Sequence, residues 1–497
     1  MFFKGKWSYS LPNSAFQAQS LEKIGVISII KHRINVYILH KVSGGLMKTN
    51  SNITLFSFIL TVLILLGFAG NSIAAAPADK VSCITSKCHA TMEKQKYIHG
   101  PVAAGECGIC HGDSPKHADD PKKNKFAEIA DVQGKCYECH DAFPKKKLTH
   151  SPVEDGECTA CHSPHGSPYK FQLLEKGGDL CFGCHDSELV AKKFVHGPAA
   201  VGGCVACHDP HTADYDKNLR AEGPDLCFMC HIDKAEAINS SEYVHEPVSN
   251  DCTNCHNPHS APKEFMLEAN APDLCLDCHD EKQEQLAAAT VKHGAVEIEK
   301  SCLNCHDAHM SNIAANLLME PLDLCLSCHD REYKRPDGKS IMDMKKCLAE
   351  NTDHHGPIKQ KDCSGCHNPH GSQSFRILRD PYPSTFYKSF SSETYNLCFS
   401  CHEKSIVLNP ETTKLTNFRN GNMNLHFKHV NKPIKGRTCR ACHETHASNF
   451  PKHIREAVPF GSWELPVNFE KTKTGGSCTP GCHKVKKYDR VKKEINE

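Results

Sequence analysis

The stretch FVHGPAAVGGCVACHDPH, residues 194–211, sets Cys204, Cys207 and His208 as C-x-x-C-H, with His196 ahead of them and His211 behind. Two thiols and an imidazole at this spacing serve three chemistries: half of a zinc site, a redox dithiol, or covalent haem attachment. In the third, each cysteine forms a thioether to one vinyl group and the adjacent histidine ligates the iron. The whole chain decides among them. Thirteen such motifs occur: Cys107, Cys110 and His111; Cys136, Cys139 and His140; Cys158, Cys161 and His162; Cys181, Cys184 and His185; Cys204, Cys207 and His208; Cys227, Cys230 and His231; Cys252, Cys255 and His256; Cys275, Cys278 and His279; Cys302, Cys305 and His306; Cys325, Cys328 and His329; Cys363, Cys366 and His367; Cys398, Cys401 and His402; and Cys439, Cys442 and His443. Two more have wider spacers: Cys83, Cys88 and His89 in CITSKCH, and Cys478, Cys482 and His483 in CTPGCH. Together they use 30 of the 31 cysteines and leave Cys347, read as an inert thiol. Zinc, dithiol and disulfide chemistry give no reason for a histidine to follow the second cysteine fifteen times. The expected cofactor is haem c, about fifteen per chain, covalently attached.

The motifs alternate between two kinds. An A motif has a histidine upstream, often in HGP, and usually another three residues after its own; THSPVEDGECTACHSPH and VHEPVSNDCTNCHNPH are examples. A B motif reads DLCxxCH, as in GGDLCFGCH, GPDLCFMCH and APDLCLDCH. Four successive A-to-B offsets are 23 residues, and A motifs recur every 46–51 residues up to Cys302, then after 61 and 76. Such self-similarity predicts a modular array rather than one globular core. Over about residues 83–483 the pattern resembles the doubled C-x-x-C-H family of multihaem cytochromes c. That resemblance implies respiratory electron transfer, often toward extracellular acceptors. In filament-forming multihaem cytochromes it further implies that ligands are lent across subunits.

Seventeen histidines remain after the fifteen motif histidines and two near the N-terminus. Fourteen keep the repeat register: upstream His99, His150, His196, His245, His293, His355 and His429, and downstream His117, His165, His211, His259, His309, His370 and His446. All fourteen are expected as second axial ligands. His354, His426 and His453 fall out of register and read as solvated. His208 and His211 stand three residues apart, so their Cα atoms are at most about 11 Å apart. They are expected on different irons, which would force neighbouring haems together. With the chain read as B followed by seven A–B pairs, the last motif, at His483, has no following repeat. It is expected to use an out-of-register histidine, borrow one from another subunit, or stay open.

The elements that position these residues are short. Residues 280–293 and 186–196 read as helices and the A motifs as loops or single turns. The basic tail KVKKYDRVKKE reads as a solvated helix. The expected fold is mostly irregular with short α-helices, an elongated multihaem array of two-haem repeats with little or no β-sheet. Aromatic residues are only 7% of the 497, so porphyrins are expected to form most of the core.

Residues 47–76 read as a signal peptide, with a basic start, the apolar run from Ile53 to Gly70 and small residues before cleavage. An uncleaved anchor is the alternative. Residues 1–46 read as an extension upstream of the true start. Regular repeats are placed at 77–340 and repeats with longer insertions at 341–497. Without residues 1–76 the chain holds 52 basic and 57 acidic residues, a net of −5, which gives no support for nucleic-acid binding. An exported protein is expected, periplasmic, extracellular or associated with the outer membrane.

Two axial histidines per iron leave no position for a substrate. The expected function is therefore electron conduction in anaerobic or extracellular respiration, not catalysis. The expected partners are redox proteins as donor and acceptor, with a homopolymer or an outer-membrane porin as further partners. A reductase of nitrite, hydroxylamine or a sulfur oxyanion at one open haem is the alternative.

Overall fold

The computed structural model describes residues 83–496 apart from 86, 113, 114, 336, 337 and 482. The expected extension at 1–46, the signal peptide at 47–76 and Cys482 lie outside the described residues. Residues Val81–Glu497 form one compact unit. It is mostly irregular, with helices of at most nine described residues and small sheets. No helix among the described residues is long and apolar enough to cross a membrane.

The regular repeats, from His150 to His293, build the same local sequence of elements. The upstream histidine is the N-cap of a one-turn helix. His196 precedes Gly197–Ala200 and His150 precedes Ser151–Glu154, each with proline in the first turn, where its missing N–H costs no helical bond. The A cysteines come next on a 3-10 turn, such as Cys204–Ala206. The B cysteines close a short helix, such as Gly223–Phe228.

Connector length decides which element comes after a B motif. Fourteen residues separate His279 from His293, and the helix Asp280–Ala288 fits between them. Only eleven separate His185 from His196, and the expected helix over 186–196 is instead the 3-10 turn Ser187–Val190 and the strand Phe194–Val195. The residues just before each upstream histidine are held by pairing, which overrides their helical propensity.

That pairing joins neighbouring repeats. Two residues before an upstream histidine pair antiparallel with the two residues after the next repeat's downstream histidine. Tyr97–Ile98 pairs with Gly166–Ser167, Leu148–Thr149 with Thr212–Ala213, and Phe194–Val195 with Ser260–Ala261. Tyr243–Val244 pairs with Met310–Ser311, Val291–Lys292 with Gly371–Ser372, and Asp353–His354 with Ala447–Ser448. Small side chains let the strands approach: Ala213 and Ala261 are 1% and 0% exposed.

The main core of ordinary side chains lies near the C-terminus, where Leu378, Tyr382, Tyr395, Val407 and Val430 pack together. Beyond it, Ala457–Phe460 and Trp463–Pro466 form a hairpin whose turn holds Gly461 at φ 63°. Phe469–Lys471, Gly475–Cys478 and Lys486–Asp489 form a three-stranded sheet. The basic tail is thus a strand, not the expected helix. Its Tyr488 is buried, and the strand lies so close to Gly475 that a Cβ there would meet the Tyr488 carbonyl oxygen at 1.8 Å. Asn420 ties the tail down, donating to the Glu494 carbonyl at 2.8 Å and accepting from the Glu494 amide at 2.8 Å.

Candidate functional site

All thirteen C-x-x-C-H motifs close the same turn. The histidine amide donates to the first cysteine's carbonyl, at 2.8 Å in His402 and 3.1 Å in His111, so both thiols and the ring leave one turn together. The wider motifs close differently: Cys88 donates to Thr85 and His483 to Pro480.

A second histidine faces fourteen of the motif histidines. B-type histidines face the upstream histidine of their own repeat: His140 with His99, His185 with His150, His231 with His196, His279 with His245, His329 with His293 and His402 with His355. A-type histidines face the downstream histidine of the next repeat: His111 with His165, His162 with His211, His208 with His259, His256 with His309, His306 with His370 and His367 with His446. His89 faces His117 in the same way. Ring centroids in the fourteen pairs are separated by 5.9 Å at the least, in His99–His140, and 6.4 Å at the most, in His426–His443.

That separation is too wide for ring contact and suits a shared metal. A metal–imidazole bond is about 2 Å and the ring centre lies about 1 Å beyond the nitrogen, so opposed imidazoles place their centroids roughly 6 Å apart. Among the described residues no group of three or more His, Cys, Asp or Glu side chains could hold a metal ion. The protein therefore offers two opposed donors per site and nothing around the equator, beside a pair of thiols. A zinc tetrahedron does not match this donor set; the iron of a covalently attached macrocycle does.

The tautomer is set from behind. Nδ1 of His162, His208, His256, His306, His367 and His443 bonds the carbonyl nine residues on, at 2.7–3.0 Å, leaving Nε2 for the metal. The accepting residues, Phe171, Lys217, Phe265, Ala315, Arg376 and Lys452, all lie at positive φ, as does the residue after each. None is glycine or asparagine. Nδ1 of His99, His150, His196, His245 and His293 bonds a carbonyl of the neighbouring repeat, as His196 does Pro258 at 3.1 Å. Burial pushes His426, His429 and His446 down to about 4, which keeps these imidazoles neutral, the form that binds metal.

The cysteines form a chain of neighbours in sequence order. The first cysteine of a B motif lies beside the first of the next A motif, close enough to shift its ionisation: Cys136 with Cys158, Cys181 with Cys204, Cys227 with Cys252, Cys275 with Cys302, Cys325 with Cys363 and Cys398 with Cys439. Second cysteines come close within each repeat, as Cys161 with Cys184, Cys207 with Cys230, Cys255 with Cys278, Cys305 with Cys328 and Cys366 with Cys401. In the first repeat the corresponding thiols, Cys110 and Cys139, both lie within electrostatic reach of Lys135, and Cys110 also lies within reach of Cys136. Cys110 is half-buried and Cys139 is exposed. Cys442 is near Cys478. Burial and the neighbouring thiol raise Cys181 to about 11 and Cys227 to about 12, while the neighbouring Cys325 thiol lowers Cys363 to about 7.

The structure thus separates His208 and His211, which face His259 and His162. The A motif at His443 departs from the regular pairing. It faces His426, which falls outside the repeat register. His429, the upstream histidine of the last repeat, lies within electrostatic reach of His483. His354 bonds the Leu348 carbonyl at 3.0 Å, and His453 stands edge-on to His355, 3.7 Å from Asp353. Sequence reading missed the left-handed pairs; a trace is the Leu or Ile eleven residues after each A histidine from His162 to His443, which bridges back to it.

The family model for the doubled CXXCH motif matches residues 99–145, 150–189, 196–236, 245–284, 293–334 and 355–406, just over half of the chain. Each segment holds one A and one B motif. No curated protein matches the chain.

Proposed function

Since the chain belongs to the doubled CXXCH family and is a multihaem c-type cytochrome with covalently bound haem c, we propose that it holds fifteen haems, nearly all between two histidines, and conducts electrons along them. The matched segments account for twelve motifs; those at Cys83, Cys439 and Cys478 extend the count. When bound, haem supplies the one-electron Fe(III)/Fe(II) couple.

The observation that carries the proposal is the set of fourteen opposed histidine pairs. Each pair would hold a haem iron between two imidazoles, which would leave no position for a substrate. Histidine rather than methionine as second ligand favours a low potential. The cysteine neighbours support conduction, because they place successive attachment points against one another from Cys136 to Cys478. The reading extends to an exported protein that exchanges electrons with other redox proteins. The apolar run before Ala74 supports export.

Intact mass of the exported protein tests the count, with fifteen haems expected above the polypeptide; an unmodified mass overturns it. Electron paramagnetic resonance of the oxidised protein should show low-spin iron. A dominant high-spin signal with turnover of nitrite or hydroxylamine would instead establish the reductase reading.

A further inference from the structure

We infer that His426 completes the A-type site at Cys439 and Cys442 from within the chain, so that this site takes no histidine from a further repeat or a second copy. The inference rests on the two-histidine reading above. Each earlier A site is completed by a histidine 49 to 79 residues beyond its own, carried by the next repeat. The His443 site departs from that register. His426 fills the position from the opposite direction, 17 residues before it, with ring planes 14° apart as in the regular sites.

The position is built rather than accidental. Asn424 is fully buried and caps the helix Leu425–Val430, its Oδ1 accepting from the His426 amide at 3.0 Å. Its Nδ2 donates to the carbonyls of Ile406 and Asn409 at 2.9 and 2.7 Å, which pins the cap to the preceding segment. Thr416 Oγ1 lies 3.2 Å from His426 Nδ1, so Nε2 is the nitrogen turned to the metal. Phe418 stands edge-on to the ring and packs on Tyr488 of the terminal sheet. The other out-of-register histidines have no such setting: neither His354 nor His453 is stacked opposite a motif histidine.

The test is His426→Ala in the haem-loaded full chain. Intact mass should keep the wild-type haem number while one site per chain becomes high-spin, and added imidazole should restore it. His354→Ala and His453→Ala should leave the wild-type spectrum. In wild type, the low-spin fraction should not change on dilution. An all-low-spin His426→Ala protein, or wild-type low-spin signal lost on dilution, overturns the inference. If His426→Ala fails to accumulate, His426→Met keeps a ligand: one site should stay low-spin with a raised potential, and unchanged potentials overturn the inference. Several high-spin sites in wild type would instead overturn the two-histidine reading itself.

Discussion

The carbonyl that orients six of the seven A-type histidines, all but His111, belongs to a residue in a conformation L-amino acids avoid. Ala315, at φ 59°, accepts from His306 Nδ1 at 2.8 Å, and Asn316 beside it lies at φ 52°. A left-handed residue costs about 1–2 kcal/mol. The same cost is met in six repeats, and the bond to the histidine is what the six have in common. Ala315→Gly should remove the strain and return about 0.5–1 kcal/mol of chain entropy, leaving the holoprotein equally or slightly more stable in a thermal melt. Ala315→Pro cannot reach this φ; it should lower the melting temperature and perturb the spectrum of the His306 site alone. Equal melting of the two variants would show that the conformation is not needed. None of this was legible in the sequence, because Phe, Lys, Ala and Arg at these positions carry no turn signal. The histidines that face one another were legible as a set, since the register repeats. Their pairing was not. His259→Met should raise one potential, that of the His208 site, in a spectroelectrochemical titration; movement of the His256 site would contradict the assignment.

Two-residue strands are too short for any periodicity to reveal, and they are what joins the repeats. Beside five of the six ladders the backbone ties two distal histidines together: the His196 amide donates to the His259 carbonyl at 3.0 Å, and His150 does the same to His211 at 2.9 Å. The ladder therefore fixes the second ligands of an A and a B site in one unit. Ala261 is fully buried in such a ladder. Ala261→Leu should cost about 1–3 kcal/mol by overpacking and loosen His196 and His259 together; a spectrum in which only one of their sites changes would separate the two. The terminal sheet depends on Asp489, which Thr474 Oγ1 and the amides of Val491 and Lys492 hold below the usual carboxylate range. Its stabilisation is present above about pH 4 and is lost as pH falls through the depressed value. Amide protection of residues 486–489 should fade in acid, and Asp489→Asn should flatten that dependence. The tail's strand was hidden because its register partners lie in Gly475–Cys478, a segment with no strand signal of its own.

The molecule as a whole is an ordered succession of sites with one ordinary core near its end. The repeat period was readable from cysteine spacing alone, whereas the terminal cap follows from packing among Tyr382, Tyr395 and Val430 that no motif announces. If the cysteine neighbours mark the electron route, Cys252→Ala with Cys255→Ala should lower the intact mass by one haem. It should also slow equilibration between the two ends, while the haems on each side remain reducible. An unchanged rate would argue for a route that bypasses the site. The direction in which ligands are lent also orders events in time. A chain emerging N-terminus first presents the B sites from His140 to His402 with the facing histidine already made, whereas His89 waits for His117. Each A site must wait: His162 for His211, 49 residues later, and His367 for His446, 79 later. Seven sites, at His89, His111, His162, His208, His256, His306 and His367, would therefore stand for an interval with one histidine during biogenesis, whereas the His443 site would not, because His426 has come first.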